Sequence, residues 1–306
     1  MVHEPRGSHT SRTARRRTTA TAAGERRNLS AVRILISADM EGVTGVTWTD
    51  DVVAGTEPWQ RFRRLFTGDV NACVEGLVAE GATDVLINEA HSAQRNLLLE
   101  DLDPRARLLT GRHKPLSMMQ GVDAGMDGVV FLGYHAAAGE QGVLSHTYME
   151  NSIVRVWLDG VPASEGRLNA ALADEHGVPV LLVTGDDLTC ADAAGYAPSA
   201  RTAAVKECVS RYAAICRPPE RTGTEIRTAA AAGMALAGRR DAEPASHRIE
   251  IEFDAAHLAD AAAVIPTVEQ TGTRRVAFDA PAMTEGMKAF KTVTTVAGRA
   301  IQDLYG

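Results

Sequence analysis

Two carboxylates, Asp39 and Glu41, stand two residues apart just beyond the apolar run Val32-Arg-Ile-Leu-Ile-Ser37, and Gly42 follows them at once. In an extended backbone the side chains of i and i+2 point the same way, so both acids can face one side, and Gly42 permits a sharp turn after them. His91 lies just past Asp84-Val-Leu-Ile-Asn88, and His135 just past Gly128-Val-Val-Phe-Leu-Gly-Tyr134. Imidazole nitrogen and carboxylate oxygen are the usual ligands of catalytic zinc, and two metals about 3.5–4 Å apart can share a bridging carboxylate in hydrolytic enzymes. Asp39 suits the bridge. A further carboxylate would complete two ligand sets, and Glu165, which opens Ser164-Glu-Gly-Arg-Leu-Asn169 after another apolar run, is the candidate.

These residues need a scaffold that brings several strand ends together. From Val32 onward apolar strands alternate with helical stretches: an amphipathic run over 57–80 separates the first strand from 84–88, and further strands are predicted at 106–109, 128–132, 153–158 and 178–183. Helices are predicted near 115–122 and 164–175, and the grammar is βαβ. The expected fold class is α/β, a mostly parallel central sheet flanked by helices, with a second, smaller α/β lobe. That lobe is read from a helix near 225–237, a polar link at 239–246, strands at 247–253 and 274–278, a short helix between them and a closing helix over 281–304. The division is therefore 1–30 as a tail, 31–190 as the metal-site core and 191–306 as the second lobe. In open parallel sheets ligands bind beyond the carboxyl ends of the strands, where Asp39, Glu41, His91 and His135 fall.

Composition narrows the function classes. The first thirty residues hold seven Arg, two acids and almost no large apolar residue, which reads as a disordered extension without a secretory signal. The chain carries a net charge of −7, whereas residues 31–306 alone, with 25 basic and 37 acidic residues, carry −12. An acidic body argues against a nucleic-acid partner. No apolar run is long enough to span a bilayer, so no membrane partner is expected. Cys73, Cys190, Cys208 and Cys216 are scattered with no C-x-x-C, which fits buried thiols in a reducing, cytoplasmic setting.

The segments Ser37-Ala-Asp-Met-Glu-Gly42, Asn88-Glu-Ala-His-Ser92, Phe131-Leu-Gly-Tyr-His-Ala136, Gly142-Val-Leu-Ser-His146 and Leu168-Asn-Ala170, in this order and spacing, resemble the DppA-type D-aminopeptidase family of metallopeptidases. The resemblance continues through Val183-Thr-Gly-Asp-Asp187 and Thr202-Ala-Ala-Val-Lys206. It implies two zinc ions per subunit, with Asp39 bridging, Glu41 and His135 completing one site, and His91 and Glu165 the other. It also implies that His146 is the catalytic nucleophile or base; the acid–base role is preferred, because an imidazole titrates near neutral pH.

The implied activity is hydrolysis of the amide bond of small peptides with a free N-terminus, through a metal-activated water or His146. The implied assembly is a homo-oligomer, a decamer of two stacked five-membered rings. Arg167 stands where the family usually has glycine, so it joins Asn169 and Lys206 as a candidate for substrate contact. Two alternatives keep the same ligands: an amidase or esterase acting on a specialised substrate, and a non-catalytic metal- or ligand-binding protein. His113, His176, His247 and His257 lie outside the motifs and are read as structural or solvated.

Overall fold

The computed structural model describes residues 31–301, and the Arg-rich segment 1–30 lies outside them. In chain order the strands are β1 (Arg33–Ala38), β2 (Asp84–Glu89), β3 (Ala106–Leu109), β4 (Gly128–Leu132), β5 (Ile153–Leu158), β6 (Val161–Pro162), β7 (Val180–Asp186), β8 (Arg201–Ser210), β9 (Ala213–Cys216), β10 (His247–Phe253), β11 (Glu269–Gly272) and β12 (Arg275–Ala280). The α-helices are α1 (Glu57–Ala79), α2 (Glu165–Glu175), α3 (Asp187–Ala193), α4 (Pro219–Gly233), α5 (Ala256–Ala262) and α6 (Met283–Gly298).

A seven-stranded sheet runs β3-β2-β1-β4-β7-β8-β9, parallel throughout except for the last pair. The chain leaves β1 outward through β2 and β3, then returns to place β4 on the other side of β1. The strand order therefore reverses between β1 and β4, the crevice where open α/β sheets bind ligands. β1, β4 and β7 are almost wholly buried, as strands covered on both faces must be. Ile34 and Ile36 on β1, with Val130 and Leu132 on β4, pack beneath α1 and α4. Leu35, Val129 and Phe131 face the opposite way and join α2, α6 and the second sheet. The sequence makes α1 readily: the Thr56 hydroxyl caps it by accepting from Trp59 N at 3.2 Å, Pro58 sits in its first turn, and Trp59, Phe62, Phe66, Val70, Cys73 and Leu77 form its buried stripe. Among the described residues no helix is long and apolar enough to cross a membrane.

The second sheet, β11-β12-β10-β5-β6, is antiparallel. Here the structure departs from expectation. β5 pairs with β10 and is no member of the parallel sheet. Its half-buried, alternating pattern, unlike the continuous burial of β4, is the signature of an antiparallel strand with one open face. β8 and β9 extend the first sheet beyond residue 190, so a boundary there separates neither sheet from the other. The helix predicted near 115–122 is two single 3₁₀ turns, Ser117–Met119 and Val122–Ala124, joined through Gly121 at φ 104°.

Two glycines hold the β1 and β4 ends together. Asp39 N donates to Leu132 O and Gly42 N to Gly133 O, each at 2.8 Å. A Cβ on Gly42 would stand 1.9 Å from the carbonyl oxygen of Tyr134, and one on Gly133 would stand 2.1 Å from that of Asp39. Gly42 is thus required for close backbone approach, whereas Gly133, at φ 69°, also occupies the left-handed region. Gly42→Ala is expected to lower stability by about 3 kcal/mol and to displace Glu41, read as a lower unfolding midpoint together with lost activity. An alanine variant as stable and active as the parent would show that the strand ends can separate without consequence.

Candidate metal centre

All five predicted ligands converge at the β1/β4 crevice and are buried: Asp39 and His135 are 3% exposed, Glu41 4%, Glu165 5% and His91 8%. Two groups of donor atoms form, each with its atoms within 4.8 Å of one another: Asp39, Glu41 and His91, and His135, His146 and Glu165. The two oxygens of Asp39 face in different directions. Oδ1 lies 3.4 Å from His91 Nδ1, and Oδ2 lies 3.4 Å from His135 Nε2. Glu41 Oε2 is 3.0 Å from His91 Nδ1, and Glu165 Oε1 is 3.5 Å from His135 Nε2. With no ion between them, Glu41 thus stands nearest His91, and Glu165 nearest His135. Ala90 N donates to Ala38 O at 2.8 Å, which carries the parallel β1/β2 pairing past the end of β2 and brings His91 beside Glu41.

Each imidazole is oriented by a backbone carbonyl. A carbonyl only accepts, so His91 donates through Nε2 to Val52 O at 3.0 Å, and His135 through Nδ1 to Ala136 O at 3.0 Å. This leaves His91 Nδ1 and His135 Nε2 as the nitrogens that face the carboxylates. His135 Nε2 is buried and makes no hydrogen bond. An imidazole lone pair aimed at carboxylate oxygen needs positive charge between them, supplied by a proton or by a cation. Burial would raise the Glu41 carboxyl, but His91, with His146 and His135, holds it well below the carboxylate range. Burial would depress the His91 and His135 imidazoles, but Glu41 and Asp39 around the first, and Glu165 and Asp39 around the second, raise both well above their ordinary value. Two clusters of N and O donors with a shared central carboxylate, their outer nitrogens locked by carbonyls, fit a pair of divalent cations.

His146 stands over both groups. Its ring stacks on His135 with centroids 4.1 Å apart, and its Nε2 lies 3.8 Å from Glu41 Oε1. It donates through Nδ1 to Leu144 O at 2.8 Å. The loop that carries it is tied down by Asp186, whose Oδ2 accepts from Val143 N at 2.7 Å while Oδ1 caps α3 by accepting from Thr189 N at 2.7 Å. Glu165, in the first turn of α2 behind the Ser164 cap, accepts from Tyr148 N at 2.8 Å. The site opens into a cleft of about 690 Å³. Of the seven non-glycine residues with positive φ among the described residues, Ser92, Gln94, Ser117, Leu144, Tyr148 and Glu150 line this cleft and Asp159 does not. Left-handed backbone at side-chain-bearing residues is unfavourable and persists where surrounding structure enforces it, as at functional sites.

The three candidate substrate contacts lie elsewhere. Arg167 turns away from the cleft, over the Tyr196 ring at 5.8 Å, and donates to Gly195 O at 3.2 Å. Asn169 is fully buried and donates to Tyr134 Oη at 2.8 Å, which in turn meets Ser37 Oγ at 2.7 Å. Lys206 is fully buried, and its ammonium donates to the carbonyl oxygens of Glu41, Val43 and Val46 at 2.6, 3.0 and 2.7 Å. It clamps the segment that bears Glu41 and has no free donor for a substrate. Burial pulls its pKa down to about 8. Conversely His113, read as structural or solvated, lines the cleft, and so do Arg112 and Lys291, which the motifs do not mark. Lys206→Met leaves three carbonyls without a donor and is expected to lower stability by about 3 kcal/mol or more and to speed amide exchange in residues 42–46. Unchanged exchange there would mean that another group holds the segment.

Comparison with known proteins identifies the family. A family model described as D-aminopeptidase matches residues 32–292. The D-aminopeptidase of Bacillus subtilis (strain 168) is 36% identical over 273 residues, covering 88% of this chain and 98% of the relative. A solved structure, described as the Zn-dependent D-aminopeptidase DppA from Bacillus subtilis, a self-compartmentalizing protease, superposes with a TM-score of 0.84 at 35% identity and covers 88% of this chain and 98% of its own. A family match over nearly the whole described body, together with a relative of this identity and coverage, establishes that the chain belongs to the D-aminopeptidase family.

Proposed function

We propose that this chain is a dizinc aminopeptidase that cleaves the amide bond of small peptides with a free N-terminus, with Asp39 shared between two metal positions. The observation that carries the reading is the divided aim of the Asp39 carboxylate, one oxygen toward His91 and the other toward His135. Glu41 Oε2 and His91 Nδ1 complete the first donor set, and Glu165 Oε1 and His135 Nε2 the second. Three carboxylates against two divalent ions leave a net charge of about +1. Zinc, when bound there, supplies positive charge that polarises a carbonyl and lowers the pKa of water.

The protein's own part follows from tautomers and burial. His146 has its Nδ1 proton engaged by Leu144 O, so in the neutral ring Nε2 carries the lone pair and faces the cleft. It accepts a proton at Nε2 from the attacking water and returns it to the leaving amine, as a general base and then a general acid. Contact with the His135 ring and with the loop pinned by Asp186 holds that nitrogen in place. The carbonyl-locked rings of His91 and His135 keep their ligand nitrogens aimed without reorganisation. The relative's described stereochemistry and compartmentalised assembly extend to this chain as part of the same proposal: preference for an N-terminal D-residue, in a decamer.

The test combines metal analysis with hydrolysis of D- and L-aminoacyl p-nitroanilides. About two zinc ions per subunit, faster turnover of the D-substrates and loss of activity on chelation are expected. His91→Ala and Glu165→Ala should lose metal and activity together, whereas His146→Ala should keep metal and lose about 10²–10⁴-fold in kcat. Full activity in chelator, or in either ligand variant, would rule out the metal mechanism. Light scattering tests the assembly, and a monomer would remove the decamer from the reading.

A further inference from the structure

The cleft lining carries charge of both signs. Asp39, Glu41 and Glu165 stand with their imidazoles, and the lining also holds Arg112, Lys114, Arg211, Lys291 and Arg299 against a single further carboxylate, Glu150. These cations differ in how they are used. Lys114 is buried and turned inward, donating to Asn88 Oδ1 and Glu89 O, each at 2.5 Å, and is therefore committed to the scaffold. Arg211 donates to Asn151 Oδ1 at 2.7 Å. Lys291, on α6, meets only the backbone carbonyl of Lys114, and Arg112, in the segment after β3, is exposed and has no hydrogen-bond partner among the described residues. No carboxylate among the described residues reaches salt-bridge distance of either.

Like charges crowded in this way repel. The Lys291 ammonium is pulled below its ordinary pKa by burial and then by Arg112, and Lys291 in turn acts with burial to lower Lys114. Cations that line a cleft without a carboxylate partner, as Arg112 and Lys291 do, are set up to receive an anion. That anion has to belong to a molecule whose other end reaches the carboxylate–imidazole cluster. A cleft of about 690 Å³ is the size of a small-ligand site. A short peptide has matching chemistry: its N-terminal residue can lie at the cluster while its C-terminal carboxylate meets Arg112 and Lys291.

We propose that Arg112 and Lys291 form an anion subsite that binds the C-terminal carboxylate of short peptides, so that the substrates are free-acid peptides and chain length is read from both ends. This rests on the aminopeptidase reading above and adds a determinant that the metal ligands do not supply. Arg112 is exposed and Lys291 only half-buried, so both can be replaced without opening the core.

The experiment compares a tripeptide with its C-terminal amide, together with a pair of non-cleavable analogues, reduced at the scissile bond, that end in carboxylate or carboxamide. The acid should be favoured over the amide by about 10- to 100-fold in kcat/KM, chiefly through KM, as expected for a charge-assisted contact. Arg112→Gln and Lys291→Met should each lower that ratio, and the double variant should bring it close to one, with zinc content unchanged. Calorimetric affinity for the two analogues should follow the same order. Equal handling of acid and amide by the parent protein, or variants that leave the ratio intact, would overturn the subsite while leaving the aminopeptidase reading standing. No turnover of either peptide, with carboxylate-dependent analogue binding retained, would do the reverse.

Discussion

Three carboxylates, those of Asp39, Glu41 and Glu165, are buried within a few ångströms of the same imidazoles, and this concentration of like charge is the constraint on which the rest of the structure turns. Taking a carboxylate out of water is unfavourable by several kcal/mol unless positive charge compensates it. Against their burial, the surrounding carboxylates raise the His91 and His135 imidazoles well above their ordinary pKa, so the site favours positive charge. The same demand suits the cluster to a cation, because a divalent ion between imidazole nitrogen and carboxylate oxygen would satisfy both at once. The scaffold's task is to keep the acids together despite their repulsion.

That task falls to backbone contacts more than to side-chain contacts. The β1 and β4 ends are pressed together at Gly42 and Gly133, where any side chain would collide with a carbonyl. Lys206 gathers three carbonyls of the segment 41–46, and Asp186 ties the His146 loop to α3. Glu89, which the motif places beside His91, accepts from the backbone amides of Asn96 and Leu97 at 2.6 and 2.9 Å and shapes the loop that follows. The left-handed residues around the cleft answer the same need: a loop that must aim a ring or an amide at one point accepts unfavourable dihedrals when neighbouring packing leaves no alternative. The mixed charge of the cleft lining comes from segments far apart in sequence, since Arg112 follows β3 and Lys291 sits on α6.

Much of the fold and the site is legible in the chain itself. β1, β2, β3 and β4 are recognisable as short apolar runs, and α1 as a capped amphipathic stripe, because burial and capping are written locally. The strand-end rule then points to Asp39, Glu41, His91 and His135, and the ordered motifs add Glu165, His146 and the family. Local patterning misleads at β5, where the apolar residues are the same as in a parallel strand and only the alternation of burial tells them apart. It misleads again at the short 3₁₀ turns of 117–124, where an apolar composition suggests a helix that Gly121 interrupts.

Residue chemistry and strand periodicity are properties of short segments, so the chain on its own specifies which side chains could ligate a cation and roughly where along a βαβ order they fall. Which donors stand beside one another is decided only by folding. The β1 and β2 ends lie side by side in the parallel sheet and put Glu41 Oε2 3.0 Å from His91 Nδ1, a neighbourhood that no spacing encodes. Folding likewise commits Lys206 to clamping carbonyls, Asn169 to a buried hydrogen-bond chain and Arg167 to the Tyr196 ring. A polar side chain near a motif can point into a cleft or into the scaffold, and the choice is made by packing among distant elements, a non-local quantity absent from any single stretch of sequence.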